Sequence, residues 1–394
     1  MKSSKKKLCI VINSIAPYRI PVYGALTESF DVTILHGGKE AGRTWSIHLP
    51  EALRAISVWS LKIPTTKRTG VHGIHDQTYL HLNLGLLFWL PKIRPDVIIS
   101  NELGARTVMA LLYGALMRVP VWVWWGGTIH SEKNLGGLKQ KLRRLLARRV
   151  NHWISYGTTS TEYLESLGAI RSSILQIQNC VEQETFLKPR LDSPAHFKDA
   201  VRPVLLTVGQ LRARKGIDRL IQACSQLEGN KEFTLVVVGQ GPERENLMEL
   251  ARSKGLTHVI WLQNQSQQEL SLIYRSADAF IFPTMEDIWG LVVNEAILSG
   301  VPVLCSRYAG CASELLDEEN IFDPLSDESW GEGLTRILSG TLTVTDRTRL
   351  KTWQEVGMII RLSLLKNRVP SEMEWSEISN RFAARVSSGF EENC

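Results

Sequence analysis

The residues best suited to chemistry are two acids around a glycine in the segment 283–296: Asp287 and Glu295, with Gly290 between them. Free backbone N–H groups at Gly290 and Leu291, at the positive end of a helix dipole, could hold an anion. A carboxylate on each side could accept hydrogen bonds from hydroxyl groups. A sugar joined to a diphosphate needs this combination. The simpler interpretation is that Asp287 caps a helix and Glu295 is a solvated helix residue.

The elements that must position these acids are a strand and the helix that follows it. Residues 279–282 form a short apolar run that predicts a buried strand. Residues 291–298 predict a helix that ends at Gly300. Asp287 is therefore expected on the strand-to-helix loop, and Glu295 about one turn inside the helix.

The same alternation of apolar runs and amphipathic stretches extends along the chain and restarts after a polar passage at 182–203. Two βαβα series predict an α/β fold with two doubly wound parallel sheets, and a ligand site beyond the carboxyl ends of their strands. We expect an N-terminal domain at 1–182, a C-terminal domain at 199–340, and helices at 341–394 that cross back to the first domain. These last residues include one helix within 341–369 and a capping box at 371–374.

Charge and cysteine content restrict the class of protein. Residues 1–198 hold 26 Lys/Arg and 13 Asp/Glu, whereas residues 199–394 hold 20 and 27. The basic half suits a phosphorylated substrate, an anionic lipid or a nucleic acid. The cysteines show no paired metal-type spacing, which favours reduced thiols and a cytoplasmic location; they are Cys9, Cys180, Cys224, Cys305, Cys311 and Cys394.

The N-terminus and the longest apolar runs bear on the membrane. The lysines and apolar run at 2–12 predict a first buried strand rather than a signal peptide, because the run breaks at Asn13. No run reaches the ~20 apolar residues of a membrane span. The basic amphipathic helix at 138–149 could lie on an anionic membrane or be a solvated helix packed by its leucines. Leu80–Leu90 is either a core helix or a helix that touches lipid, and we expect a core helix.

Four segments of the C-terminal half together resemble glycosyltransferase family 4, a retaining family with the GT-B architecture. They are Gly209–Gly216, Val238–Pro242, Ala277–Glu295 and Gly300–Val303. In the N-terminal half, Ala16–Tyr23 and Asn179–Glu182 also fit. The resemblance implies two Rossmann-like domains that face a cleft.

The resemblance implies roles for the residues around the acidic segment. Glu295 corresponds to the acid that binds the ribose hydroxyls of the nucleotide. Asp287 stands where the family usually has Glu against the donor sugar, and Glu286 lies beside it. Gly290 and Leu291 correspond to the backbone donors to the diphosphate.

Further donor contacts are implied on the preceding loops. Lys215 corresponds to the lysine that neutralises the diphosphate, and Gly209 begins its loop. The family usually has Arg after that glycine, where this chain has Gln210, so Arg214 is our candidate for the second positive charge. His130 stands where the family often places an active-site histidine, and we assign it and Asp287 to catalysis.

Acceptor contacts are expected at the strand ends of the first domain. Asn101 and Glu102 follow one predicted strand, and Tyr18 and Arg19 follow another. The Gly239-x-Gly241 turn is either a tight βα turn or a ligand contact, and it is no dinucleotide fingerprint because Arg244 replaces the third glycine.

The predicted activity is transfer of a sugar from a nucleotide-diphosphate sugar to an acceptor hydroxyl, with retention, in glycan or polysaccharide biosynthesis. The expected partners are the donor, a glycan or lipid-linked acceptor and an anionic membrane surface, with no nucleic acid, no cofactor and no metal. The expected location is cytoplasmic, peripheral on the inner face of the cell membrane. The alternatives are a nucleotide-sugar epimerase of the same fold and a non-catalytic module that binds membrane or nucleic acid.

Overall fold

The computed structural model of the chain describes residues 5–38, 48–68, 75–133, 137–188, 194, 197–227, 232–371 and 373–380. Two parallel sheets, of seven and six strands, lie one after the other along the chain. Most strands are followed by a helix that returns the chain to the start of the next strand. This arrangement confirms the predicted α/β class with two doubly wound sheets.

The first sheet has the order β3-β2-β1-β6-β7-β8-β9, and its neighbouring strands are parallel. Its central strands are almost entirely buried, as strands covered by helices on both faces must be. The strands are β1 (Lys6–Ile12), β2 (Phe30–His36), β3 (Leu53–Ser57), β6 (Val97–Asn101), β7 (Val121–Trp125), β8 (His152–Tyr156) and β9 (Ile174–Ile177). The strands β4 (Leu61–Arg68) and β5 (His75–Leu82) form a separate antiparallel hairpin.

The second sheet has the order β12-β11-β10-β13-β14-β15 and is also parallel. Here β13 lies at the centre, beside the first strand of the domain, so its carboxyl end is where the strand order reverses. The strands are β10 (Val204–Val208), β11 (Thr234–Val238), β12 (Val259–Leu262), β13 (Ala279–Phe282), β14 (Val303–Ser306) and β15 (Ile321–Phe322).

Helices cover both faces of each sheet. Val121 and Val123 are two residues apart on β7, so their side chains point to the same face of the first sheet. Val121 packs with α2 and α3, and Val123 packs with α4 and α5, so these four helices cover that face. The first domain carries α1 (Ile20–Leu26), α2 (Leu86–Ile93), α3 (Ala105–Met117), α4 (Gly137–Ala147) and α5 (Gly157–Ser166), and α6 (Glu184–Leu187) follows. The rest of the chain carries α7 (Ile217–Ser225), α8 (Arg244–Ser253), α9 (Gln267–Ser276), α10 (Leu291–Ser299), α11 (Ala312–Leu315), α12 (Asp327–Leu338) and α13 (Trp353–Lys366).

The C-terminal residues return to the first domain. The helix expected within 341–369 is α13, and it packs on α1 so closely that a Cβ on Gly357 would lie 2.5 Å from Cβ of Ala25. The next helix, at 373–380, begins with the predicted capping box. There Glu374 N–H donates to Ser371 Oγ at 3.3 Å, and Ser371 N–H donates to the Glu374 carboxylate at 2.9 Å.

Several sequence predictions need correction. The core helix expected at Leu80–Leu90 is wrong for its first residues, which belong to β5, and Leu87 and Phe88 of α2 are exposed. The polar passage at 182–203 contains α6, whose Phe186 is buried in the core. The hairpin was missed because its strands mix polar and apolar residues without a clear period. In the part of the chain that the structure describes, no helix is long and apolar enough to cross a membrane.

Candidate functional site

The loop between β13 and α10 is fixed by its own backbone. Asp287 N–H donates to Tyr308 O at 3.2 Å, and Gly310 N–H donates to Asp287 O at 3.1 Å. Trp289 N–H donates to Asp287 Oδ1 at 3.2 Å. The residue that caps α10 is Gly290, which makes no side-chain cap bond, so Asp287 is not the helix cap. Its other carboxylate oxygen is available for an ionic contact.

That contact is with Lys215, whose Nζ donates to Asp287 Oδ2 from the loop after β10. Arg214, the preceding residue, donates from Nη1 to the backbone oxygen of Glu286 at 3.0 Å. Burial opposes ionisation of Asp287, but the charges of Lys215 and Arg214 outweigh it and hold the pKa of this carboxyl below its ordinary value. Asp287 is therefore a carboxylate at neutral pH.

Lys215 and Gly290 lie on the same aromatic ring. Lys215 Nζ is 5.1 Å from the ring centroid of Phe282, and a Cβ on Gly290 would lie 2.7 Å from Cε1 of that ring. Gly290 has φ of 101°, a conformation that favours glycine. The ammonium group and the start of α10 are thus neighbours, and the first turn of α10 contains no acid that would repel an anion.

Glu295 lies one turn further along α10. The Tyr274 hydroxyl lies 3.0 Å from Glu295 Oε2 and 3.2 Å from Val292 O. Burial raises the pKa of Glu295 to about 7, and the Tyr274 hydrogen bond opposes part of that rise. Glu295 is therefore not a solvated helix residue, because its side chain is partly buried and hydrogen-bonded to Tyr274.

The two glycine-containing loops of the second domain pack on one another. A Cβ on Gly239 would lie 1.9 Å from Gly209 O, and a Cβ on Gly241 would lie 2.2 Å from Leu211 O. Gly209 N–H donates to Val238 O at 3.0 Å. These contacts favour the tight-turn interpretation of the Gly239-x-Gly241 motif. Gly209 itself has open space at its Cβ position.

A loop of the first domain contacts the acidic loop across the domain boundary. A Cβ on Gly126 would lie 3.1 Å from Ile288 Cγ2, and a Cβ on Gly310 would lie 3.3 Å from Thr128 Cγ2. The His130 ring meets the Tyr308 ring edge-on, with centroids 5.3 Å apart. Burial, with the positive charges of Arg307 and Lys133, lowers the pKa of His130. His130 is therefore neutral at pH 7 and lies beside the loop that holds Asp287.

The four predicted acceptor residues lie at the carboxyl ends of β1 and β6, which are adjacent strands. Arg19 lies over the rings of Trp124 and Tyr156, with its Cζ 5.3 and 5.6 Å from their centroids. The same Cζ is 5.8 Å from the ring centroid of Tyr18. Among the described contacts, Asn101 Oδ1 is buried without a hydrogen-bond partner.

Glu102 adopts a left-handed conformation with φ of 69°, unusual for a residue with a side chain. It pairs with Arg106 at 2.8 Å. Arg106 was not predicted, because only the fold brings its side chain under the strand end.

Tyr156 and Trp289 join the two sets of residues. Their rings lie 6.4 Å apart, and a Cβ on Gly157 would lie 2.8 Å from Trp289 Cζ3. Trp289 Nε1 donates to Asn294 Oδ1 at 2.9 Å, and Asn294 donates to Asn179 O of the first domain at 3.1 Å. The loops that carry the predicted donor and acceptor residues therefore come together at the contact between Tyr156 and Trp289.

Within the described residues, no group of three or more His, Cys, Asp or Glu side chains could hold a metal ion. Metal independence stays a prediction. The aromatic residues Tyr156, Tyr274 and Trp289 were missed by sequence reasoning, since their apolar surroundings resemble those of ordinary core residues.

Comparison with known proteins concentrates on the second domain. Residues 190–352 match the family model of Glycosyl transferases group 1. An uncharacterised glycosyltransferase of Methanocaldococcus jannaschii is 31% identical over 140 residues, which are 34% of this chain and 36% of that protein. The sulfoquinovosyl transferase of Arabidopsis thaliana is 25% identical over 252 residues, 61% of this chain and 48% of that protein. The matched region thus spans less than half the length of these relatives.

Solved structures extend the likeness to the whole fold. HepE of Anabaena, crystallised with UDP, superposes with a TM-score of 0.67 at 17% identity, over 97% of this chain and 100% of that one. WaaG, a glycosyltransferase of lipopolysaccharide biosynthesis, superposes with a TM-score of 0.57 at 17% identity, over 91% and 95%. The GT-B fold predicted from the sequence is confirmed by these solved structures, and residues 190–352 are similar to the Glycosyl transferases group 1 family.

Proposed function

We propose that the chain transfers a sugar from a nucleotide-diphosphate donor to an acceptor hydroxyl, with retention at the anomeric carbon. The observation that carries this proposal is the grouping of Lys215, Asp287 and Gly290 around Phe282, with Glu295 one turn along the same helix. A cation, a carboxylate and a helix start without a side-chain cap, all in contact around one ring, match the parts of a sugar diphosphate.

Each part of the donor has a counterpart in this grouping. The diphosphate binds the N–H groups of Gly290 and Leu291 and draws Lys215 away from Asp287, which frees that carboxylate for hydroxyls of the sugar. Glu295 binds the ribose hydroxyls, beside Tyr274. Arg214 and Glu286 hold the loops on which these groups lie, since they are joined side chain to backbone.

Transfer then depends on electrostatic stabilisation of the leaving nucleoside diphosphate. Lys215 and the positive end of α10 face the charge that develops as the bond to the sugar breaks. The acceptor hydroxyl attacks from the face that the leaving group vacates. His130, neutral beside Tyr308, serves as a hydrogen-bond partner for the donor sugar. Contact between the two domains would exclude water and protect the donor from hydrolysis.

The decisive experiment is a thermal-shift screen of nucleotide sugars, followed by assay of nucleoside diphosphate release. The best donor should raise Tm of the wild type, and Lys215→Ala should weaken its binding about 10- to 100-fold, since a charged hydrogen bond is lost. Lys254→Ala is the matched control, because Lys254 is exposed at the end of α8. Equal donor binding in Lys215→Ala and the wild type would contradict the proposed site. Epimerisation of the donor without an acceptor would instead favour the epimerase.

We also propose that the enzyme works at an anionic membrane surface, and that α4 makes the contact. Its outer face exposes Leu142 and Leu145. Exposed cationic side chains surround them: Lys139, Lys141 and Arg144 on the helix, and Arg148 and Arg149 in the turn that follows it. Neighbouring α3 exposes Leu112 and Leu116 on the same side of the sheet. A surface of leucines among cations is complementary to an anionic bilayer.

Sedimentation with vesicles tests this contact. The triple variant Arg144→Gln, Arg148→Gln, Arg149→Gln should lose most binding to phosphatidylglycerol vesicles, and wild-type binding should fall as salt is added. Arg143 is left unchanged because it is buried against Glu132 and Tyr163. A control with Arg252→Gln and Lys254→Gln on α8 removes charge from the second domain. Equal sedimentation of the triple variant and this control would refute the membrane role of α4.

A further inference from the structure

Two arginines lie at the carboxyl end of the first sheet with more donors than acceptors around them. Arg106, in the first turn of α3, is 3% exposed. Its Nη2 donates to Glu102 Oε2 at 2.8 Å and to Asn101 O at 3.2 Å. Its Nη1 is buried and, among the described residues, has no hydrogen-bond partner. A buried donor without a partner costs about 1–3 kcal/mol, so it indicates a missing acceptor.

Arg19 faces the same space from the segment after β1. Its guanidinium lies over the Trp124 and Tyr156 rings, and its Nε is buried without a partner among the described residues. Burial and the nearby charge of Arg19 lower the pKa of Arg106, while the ion pair with Glu102 opposes that change. Glu102, which pairs with Arg106, donates its N–H to Trp124 O at 3.1 Å, and Arg19 lies over the ring of that same Trp124, so the two guanidinium groups lie against neighbouring residues.

The negative charge available to this pair is small. Glu102 is the carboxylate that contacts Arg106, and its side chain is 58% exposed and held in a left-handed backbone conformation. Polar atoms around the two arginines are also buried without partners among the described residues: Asn101 Oδ1, Tyr156 OH and Trp124 Nε1. Most of these can donate a hydrogen bond, which suits a ligand rich in acceptor oxygens.

We propose that the acceptor substrate carries an anionic group, a phosphate or a carboxylate, and that Arg19 and Arg106 bind it. This inference rests on the proposed transferase activity and names its acceptor class. The location fits, because Tyr156, which stacks under Arg19, lies 6.4 Å from the ring of Trp289, the residue before Gly290. An acceptor anchored by its anion here would present a neighbouring hydroxyl to the donor sugar.

The test is a titration of the protein with inorganic phosphate, in which calorimetry measures the binding affinity. Arg19→Gln and Arg106→Gln should each bind phosphate at least tenfold more weakly than the wild type does. Phosphate binding should persist in Lys215→Ala, which disables the proposed donor site. Arg106→Lys should retain part of the affinity, since it keeps the charge but not the fork of donors. Arg252→Gln, an exposed arginine of α8, is the matched control.

Each other outcome overturns the inference. Unchanged phosphate affinity in both arginine variants would remove the subsite, and loss of binding in Lys215→Ala alone would place the phosphate in the donor site. If Arg106→Gln does not fold, as judged by circular dichroism, the partly exposed Arg19→Gln decides the question. The donor should still raise Tm of the two arginine variants. Failure of the transferase proposal would be seen separately, because the wild type itself would then not bind the donor.

Discussion

Glu295 is a partly buried acid whose ionisation lowers the stability of the ligand-free protein but prepares it to bind a ligand. Its pKa of about 7 reflects burial of a carboxyl that has Tyr274 as a neighbour and no cation in contact among the causes of its shift. An acid with a raised pKa stabilises the fold below its unfolded pKa of about 4.3, and that contribution is lost as the pH rises through about 7. The ionised form is the one that can accept two ribose hydroxyls.

We therefore expect Glu295→Gln to flatten two pH profiles. The free energy of unfolding of the wild type, relative to the variant, should fall between about pH 4 and pH 7 in urea titrations. Donor affinity of the wild type should rise over the same range and stay low in the variant. Glu318→Gln, an exposed acid, is the control. Parallel profiles in wild type and Glu295→Gln would contradict the assigned pKa.

At this scale the two acids were predicted from one local pattern around the start of a helix, whereas Lys215 was predicted only from the family resemblance. The sequence did not predict Arg106 or Tyr274. Tyr274 contacts Glu295 although 21 positions of sequence separate them. Arg106 became a candidate because the fold places its side chain against Asn101 O, at the end of β6. Contacts of this kind depend on packing, which local spacing does not encode.

At the scale of elements, the turn from β13 into α10 depends on one glycine. Gly290 combines φ of 101° with a Phe282 ring that leaves no room for a Cβ. The same ring lies under Lys215, so a shift of the helix start would also move the ammonium group. The geometry of the anion site thus depends on backbone conformation as much as on charge.

Gly290→Ala should lower the free energy of unfolding by about 1–3 kcal/mol, because it forces a side chain into a left-handed conformation against an aromatic ring. Donor-induced thermal stabilisation should largely disappear. The matched control is Gly331→Ala in α12, where the Cβ meets open space and the change should add about 0.4–1 kcal/mol. Equal stability of the two variants would show that the turn tolerates a side chain.

Elements with strong patterns were predicted well. The strand Ala279–Phe282 has the bounds expected from its apolar run, and α10 begins at Leu291 and ends before Gly300 as predicted. The segment Leu80–Leu90 was not, since its leucines continue across the end of β5 and the start of α2. Periodicity alone does not separate a strand from a helix in a short apolar run.

At the scale of the whole molecule, Glu314 joins the two domains. It lies on α11 of the second domain, and its Oε1 accepts from Thr158 N–H at 2.6 Å and from Gln176 Nε2 at 2.8 Å in the first domain. Burial raises the pKa of Glu314, while its hydrogen bonds with Thr158 and Gln176 act in the opposite direction. These partners are separated by 156 and 138 positions, so no sequence pattern announced them.

Glu314→Ala should loosen the domain contact and widen the interdomain crevice. Small-angle X-ray scattering should give a larger radius of gyration, and sugar transfer should slow because the groups of the two domains no longer meet. Glu318→Ala is the control, since Glu318 is exposed and lies four residues further along the chain. A scattering curve identical to that of the wild type would show that the contact does not set the domain arrangement.

Trp289 lies where such a widening would be felt first. Its indole is 1% exposed, touches the first domain at Tyr156 and Gly157, and directly precedes the helix start at Gly290. Entry of water beside this ring would shift its fluorescence to longer wavelengths. The difference between spectra of the wild type and Trp289→Phe therefore supplies a built-in optical signal for hinge motion during turnover, with no label attached.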